Sequence, residues 1–258
     1  MNKLETIQHV RATLQSGNES IGGWMQIANS SVAEIMGQSG YDWVALDMEH
    51  GSMCVHQLPD IFRALELGGT LPLVRVARGD SMECKQALDA GAGGIIVPMI
   101  ENADEVAKAK NACCWPPAGN RGVAFSRANL YGKHFDSYKD EAQQPLFVPM
   151  IENSHAVTNL DEILEVEGVD AIMIGPYDLS ASMGMTAEFE HPDFIAAMSH
   201  ILNTAQQHQV PAGIHVVAPS ESELSQRIAE GYRFIAYSMD AILLQQAAKI
   251  PHIESISH

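Results

Sequence analysis

Two acids in this chain stand just past short apolar runs. Glu152 follows residues 146–151, and Asp178 follows residues 169–174 by way of a Gly-Pro pair. Carboxylates at the ends of two successive strands make the oxygen-rich site that a hard divalent cation prefers. No His or Cys cluster has zinc spacing, so Mg2+ or Mn2+ is the expected ion, with Co2+ a further candidate. Taken singly, the same acids read as structural carboxylates; their matched positions favour a site.

A second group ends the earlier runs. Residues 43–47 lead into Asp47-Met48-Glu49-His50, an acid three residues before an imidazole that it could orient. Away from a strand end, that spacing usually means no more than a surface histidine. Arg75 sits inside the apolar run 71–76, where an unpaired charge is costly. Asp89, near a helix end, is a candidate brace for the Asp47/His50 pair or for Arg75. None of the seven lysines lies at a strand end, which disfavours Schiff-base chemistry.

The elements that must position these residues recur along the chain. Eight β-like runs fall at 21–26, 43–47, 71–76, 94–99, 146–151, 171–174, 210–216 and 234–238, most of them continuously apolar, as parallel strands covered on both faces are. Helical patterns at 31–38, 55–67, 81–90, 103–111, 159–164, 192–207 and 220–230 lie between most of them. The alternation predicts an α/β protein, a (β/α)8 TIM barrel formed by residues 1–258 as one domain. A doubly wound sheet is the alternative, weakened by the lack of a Gly-rich phosphate fingerprint after the first strand.

Two further features stand out. The hexapeptide VPMIEN occurs at 97–102 and again at 148–153, so Glu101 is either a second acid at the mouth of the barrel or an ordinary strand-end residue. Residues 115–138 form a long stretch without periodicity, the kind of segment that is usually functional or interfacial. It carries Arg121 and Arg127. With Arg75 and Arg78 these make a bias of cations toward strand ends and this loop, suggesting a site for anions such as carboxylates, with Arg127 a substrate contact.

Net charge is −17 among 258 residues, which makes nucleic acid and anionic membranes poor partners. No apolar run is long enough to span a bilayer, and the first residues lack a signal-peptide core. Four cysteines without metal spacing fit a reduced, cytoplasmic setting.

The motifs GYDWVALDMEHG (40–51), LPLVRV (71–76), ALDAGAGGIIVPMI (87–100), PPAGNRG with RANLYG (116–132), MIEN (150–153) and IGPYDLSASMG (174–184) run in order over most of the chain. Together they resemble the HpcH/HpaI aldolase family of metal-dependent class II pyruvate aldolases. The resemblance implies a (β/α)8 barrel and a homohexamer, a trimer of dimers with the C-terminal helix exchanged between neighbours. It implies Glu152 and Asp178 as ligands of a metal chelated by pyruvate, whose carboxylate the Gly175-Pro176-Tyr177 backbone would hold through the amides of Gly175 and Tyr177. Arg75 would contact the keto oxygen, His50 would be the base, and Asp47 and Asp89 would support it. Trp24 matches a position that lines the aldehyde side.

Departures from the family pattern bear on substrate. Met150 replaces a common Gln, Tyr177 replaces a small residue, and His215 stands where relatives often carry an apolar one. His215 reads either as a structural histidine or as a substrate contact; in the second case the polar wall favours a hydroxylated aldehyde. The expected reaction is reversible cleavage of a 4-hydroxy-2-oxo acid, such as a 2-dehydro-3-deoxy sugar acid, into pyruvate and an aldehyde. Oxaloacetate decarboxylation or other enolate chemistry on the same site is the alternative. A non-enzymatic barrel would need a broken site, and every candidate position holds a competent residue.

Overall fold

The computed structural model describes residues 2–250. The chain opens with α1 (Lys3–Gln15), started by a reciprocal cap in which Asn2 Oδ1 accepts from the Glu5 amide and Glu5 returns a carboxylate oxygen to the Asn2 amide. Strands β1 (Ser20–Met25), β2 (Trp43–Asp47), β3 (Leu71–Arg75), β4 (Gly94–Val97), β5 (Leu146–Ile151), β6 (Ile172–Ile174), β7 (Ala212–Val216) and β8 (Phe234–Tyr237) follow. They pair in sequence order, all in parallel, and β8 closes on β1. The remaining helices are α2 (Ser30–Gly37), α3 (Leu58–Leu67), α4 (Ser81–Ala90), α5 (Ala103–Cys113), α6 (Phe135–Gln143), α7 (Ser154–Thr158), α8 (Leu160–Leu164), α9 (Pro176–Ser182), α10 (Pro192–Gln207), α11 (Glu221–Glu230) and α12 (Asp240–Ala247). This is the expected (β/α)8 barrel, with strand ends shifted by a residue or two. Among the described residues no helix is long and apolar enough to cross a membrane.

Alternation along each strand divides the apolar residues into two cores. Trp43, Leu73, Ile96, Val148, Met173 and Phe234 fill the barrel, while Val44, Leu46, Val74, Ile95, Phe147 and Ile151 face the helices. Trp43 stacks on Phe234 with centroids 4.2 Å apart, and a Cβ on Gly22 would lie 2.1 Å from the indole, so the backbone of β1 can pass only as glycine. The inner core is closed at the N-terminal end of the strands by α1, whose Ile7, Val10 and Leu14 join it. The i, i+3, i+7 spacing of these apolar residues marks α1 in the sequence.

The stretch 115–138 is mostly irregular, with a single 3-10 turn at Arg127–Asn129 before α6 begins at Phe135. It joins α5 to β5, so it lies at the N-terminal end of the barrel, away from the strand C-termini. Its arginines are structural. Arg121 is 3% exposed, donates to the Tyr138 hydroxyl at 3.0 Å and lies beside Trp115; Arg127 pairs with Glu66 at 2.6 Å and donates to the Ala90 carbonyl.

Candidate active site

Inward-facing residues at the C-terminal ends of the strands converge on one mouth. β3 brings Arg75, whose register partner on β2 is Asp47. The two form a buried fork: Arg75 Nε donates to Asp47 Oδ1 at 3.0 Å and Nη2 to Oδ2 at 2.6 Å. Gln26, one residue past β1, donates to the same carboxylate at 2.9 Å. Burial alone would raise the Asp47 pKa, but Arg75, Gln26 and the His50 amide overcome it and hold the carboxyl at about 2. An arginine in a buried strand is thereby paired, and its guanidinium also lies 5.0 Å from the Trp24 ring.

The expected Asp47–imidazole contact does not form. Asp47 Oδ1 instead accepts the backbone amides of Glu49 and His50, each at 3.1 Å, and so shapes the loop after β2. The His50 side chain is 58% exposed over the mouth, with Nε2 3.9 Å from Glu49. Three residues are too few for a carboxylate to hold both Arg75 and the ring of its own loop.

Glu152 follows β5 and is buried against β4. Its Oε1 accepts the Met99 amide at 2.6 Å, and a Cβ on Gly175 would come within 2.4 Å of Oε2. Gly175 is thus the cradle that admits this carboxylate. Burial pushes the Glu152 pKa to about 7 against the Met99 bond, and the carboxylates of Glu49 and Asp178 add to the rise. Burial likewise raises Glu49, whose Oε2 lies 3.1 Å from Arg75 Nη1 but out of line for a hydrogen bond and has no hydrogen-bond partner among the described residues. Asp178 is exposed in the first turn of α9. The negative charges of Glu49 and Asp178 beside buried Glu152 are an arrangement that a bound cation would relieve. Among the described residues no three His, Cys, Asp or Glu side chains form a closed metal cage. Two carboxylates with open positions suit an ion that keeps sites for water or substrate, as Mg2+ does.

The repeated hexapeptide shows why only one copy contributes. Val97 pairs with Pro149, and Ile96 with Val148, so the two copies are out of step by one residue. A one-residue shift reverses which side chains face inward. Glu152 turns in, whereas Glu101 turns outward to His155 at 3.4 Å. Pairing of β4 ends at Val97, and Met99, at φ +54°, turns its amide onto Glu152.

On β7, His215 faces inward, its ring centroid 5.2 Å from that of Trp24 and its Nε2 2.9 Å from the Ser238 carbonyl. Burial lowers its pKa from 6.5 to about 4, the Ser238 bond opposing and the Arg75 charge adding. The unfolded chain therefore takes up this proton first. Between pH 6.5 and 4, the His215 contribution to stability should fall by on the order of 3 kcal/mol as the pH drops. Glu152, raised to about 7, acts in the opposite sense over this window, so urea unfolding reads the His215 contribution as a difference: wild type should lose more stability than His215→Leu between pH 6.5 and 4.

Two expected residues are elsewhere. Asp89 ends α4 and faces Arg121 at 3.8 Å, with its pKa raised by burial; Arg127 caps the same helix end. Helix C-termini feed the strand N-termini, so within one chain both lie at the opposite end of the barrel from Arg75 and Glu152 and neither reaches them. Gly175 spends its amide on the Ile151 carbonyl at 3.3 Å, and Pro176 has none, which leaves Tyr177 as an open first-turn donor. The Tyr177 ring rests edge-on against Phe189, 5.0 Å away. Gln26 and Glu49 were missed by the sequence reading; both sit within three residues of a strand end, and that position was the available signal.

The family profile described as HpcH/HpaI aldolase/citrate lyase matches residues 20–247. A protein of Roseobacter denitrificans named hydroxypyruvate/pyruvate aldolase is 36% identical over 93% of this chain and 93% of its own length. A 4-hydroxy-2-oxo-heptane-1,7-dioate aldolase of Shigella flexneri is also 36% identical, covering 93% of this chain and 90% of its own. A crystal structure of an HpcH/HpaI aldolase/citrate lyase family protein from Burkholderia cenocepacia superposes with a TM-score of 0.87 at 31% identity, over 93% of this chain and 95% of that one. Barrel, inward-facing polar mouth and relatives agree: the chain belongs to the HpcH/HpaI aldolase/citrate lyase family and is a carbon–carbon lyase.

Proposed function

We propose that the protein reversibly cleaves a 4-hydroxy-2-oxo acid into pyruvate and an aldehyde through a pyruvate enolate. The observation that carries this reading is the pairing of one fixed cation, Arg75 locked by Asp47, with a buried carboxylate, Glu152, on the same mouth. Relatives named as aldolases support the reaction class.

Glu152 and Asp178 would hold a divalent cation, Mg2+ or Mn2+. When bound, such an ion supplies Lewis-acid charge beside the keto and carboxylate oxygens of the substrate. Arg75, immobilised before substrate arrives, donates to the keto oxygen where negative charge gathers as the C3–C4 bond breaks. The Tyr177 amide, in the first turn of α9 beyond Gly175 and Pro176, faces the carboxylate. His50 accepts the C4 hydroxyl proton, directly or through water, and the C4 oxygen becomes the aldehyde carbonyl. The bonding electrons pass to the enolate, which is then protonated at C3 to give pyruvate. Trp24 and His215 line the side left for the aldehyde.

Assembly into a homohexamer of three dimers belongs to the same proposal. Exposed Phe125, Tyr131 and Leu244 offer apolar surface for such contacts. Of the C-terminal segment expected to exchange between subunits, residues 251–258 lie outside the described residues.

Pyruvate in D2O tests the reading without a choice of aldehyde. Loss of the methyl proton signal should need Mg2+ or Mn2+ and stop with EDTA. Absence of exchange with every metal would rule out the enolate.

A further inference from the structure

Barrel topology separates the mouth into two sides. Arg75 on β3 and Glu152 after β5 occupy one; β7, four strands from β3, lies diametrically across and is followed around the barrel by β8 and then β1. His215, Ser238 and Trp24 therefore face whatever is joined to the three-carbon unit held by Arg75. The Trp24 ring touches both Arg75 and His215, so the two polar groups are one indole apart.

The imidazole is locked in one tautomer. Its Nε2 faces a carbonyl oxygen, which can only accept, so Nε2 carries the proton and Nδ1 carries a lone pair. Nδ1 has no hydrogen-bond partner among the described residues, and the ring is only partly buried. Ser238 adopts φ +58°, a left-handed conformation uncommon outside glycine, and its buried hydroxyl has no hydrogen-bond partner among the described residues. Such backbone costs energy, and at this mouth Ser238 shares it with Met99, whose amide meets Glu152. Of the two, Ser238 is the residue whose carbonyl holds the imidazole.

We infer that His215 Nδ1, oriented by the Ser238 carbonyl, is a hydrogen-bond acceptor that selects aldehydes carrying a hydroxyl next to the carbonyl. An acceptor-only atom favours an O–H donor, gains nothing from an alkyl group and repels a carboxylate. Burial keeps the ring neutral at working pH, so it does not become a second anion site. The inference rests on the aldolase reading and adds the class of aldehyde; Ser238 is the positioning residue.

The experiment compares glycolaldehyde with acetaldehyde as partners of pyruvate, in the synthetic direction, as a ratio of kcat/KM within each protein. His215→Leu should lower the glycolaldehyde preference by about tenfold, the worth of one lost hydrogen bond. His215→Gln should retain most of it, because its amide can donate to Ser238 and still present an oxygen. The ratio is internal to the folded fraction, so partial unfolding does not mimic the result. Wild type that exchanges pyruvate protons in D2O while the Leu ratio equals its own would overturn the assignment of His215 alone. Wild type that fails to exchange would overturn the aldolase reading beneath it.

Discussion

Arg75→Ala should lose about 3–5 kcal/mol of stability, because it leaves the wholly buried Asp47 carboxylate without its cation. For a chain of this size, that corresponds to a fall in melting temperature of roughly 10 °C. Catalysis should fall further, by about 10²- to 10³-fold in kcat, since the same guanidinium is proposed to meet the enolate oxygen. The two effects separate in the double variant Arg75→Met/Asp47→Leu. Removing both charges should restore much of the melting temperature and none of the activity. Arg75→Lys should also be impaired, because one ammonium cannot span both Asp47 oxygens. A fully active, fully stable Arg75→Ala protein would remove this residue from the mechanism and the fold alike.

Glu152→Gln should abolish metal-dependent proton exchange, by about 10³-fold or more, while sparing the fold. Glutamine keeps the shape, and its carbonyl can still accept the Met99 amide. Replacing a buried carboxylate with a neutral amide also removes a desolvation cost, so stability in metal-free buffer should hold or rise. Titration calorimetry with Mn2+ reads the binding loss directly. Unaltered Mn2+ affinity in both Glu152→Gln and Asp178→Asn would place the metal elsewhere.

The sequence and the fold agree wherever a local pattern carries the information. Short apolar runs, most of them continuous, mark the eight strands, and the acids and arginine at their C-terminal ends mark the mouth. The hexapeptide VPMIEN is the instructive exception. Nothing in six identical residues tells Glu101 from Glu152; the register between β4 and β5 does, and register belongs to the pairing of two strands. Loop 115–138 shows the same limit, since its length and arginines suggest function while its path along the N-terminal end makes Arg121 and Arg127 structural.

By itself, then, the sequence determined the barrel, the family and the short list of groups able to do chemistry, because strand periodicity and strand-end position are local properties. Tertiary structure decided partnership. It gave Asp47 to Arg75 instead of His50, turned Glu152 inward and Glu101 outward, sent Asp89 to the far end, and locked the tautomer of His215 through Ser238. Each of those choices depends on residues far apart in the chain or on different strands, and only the folded barrel sets which of them meet.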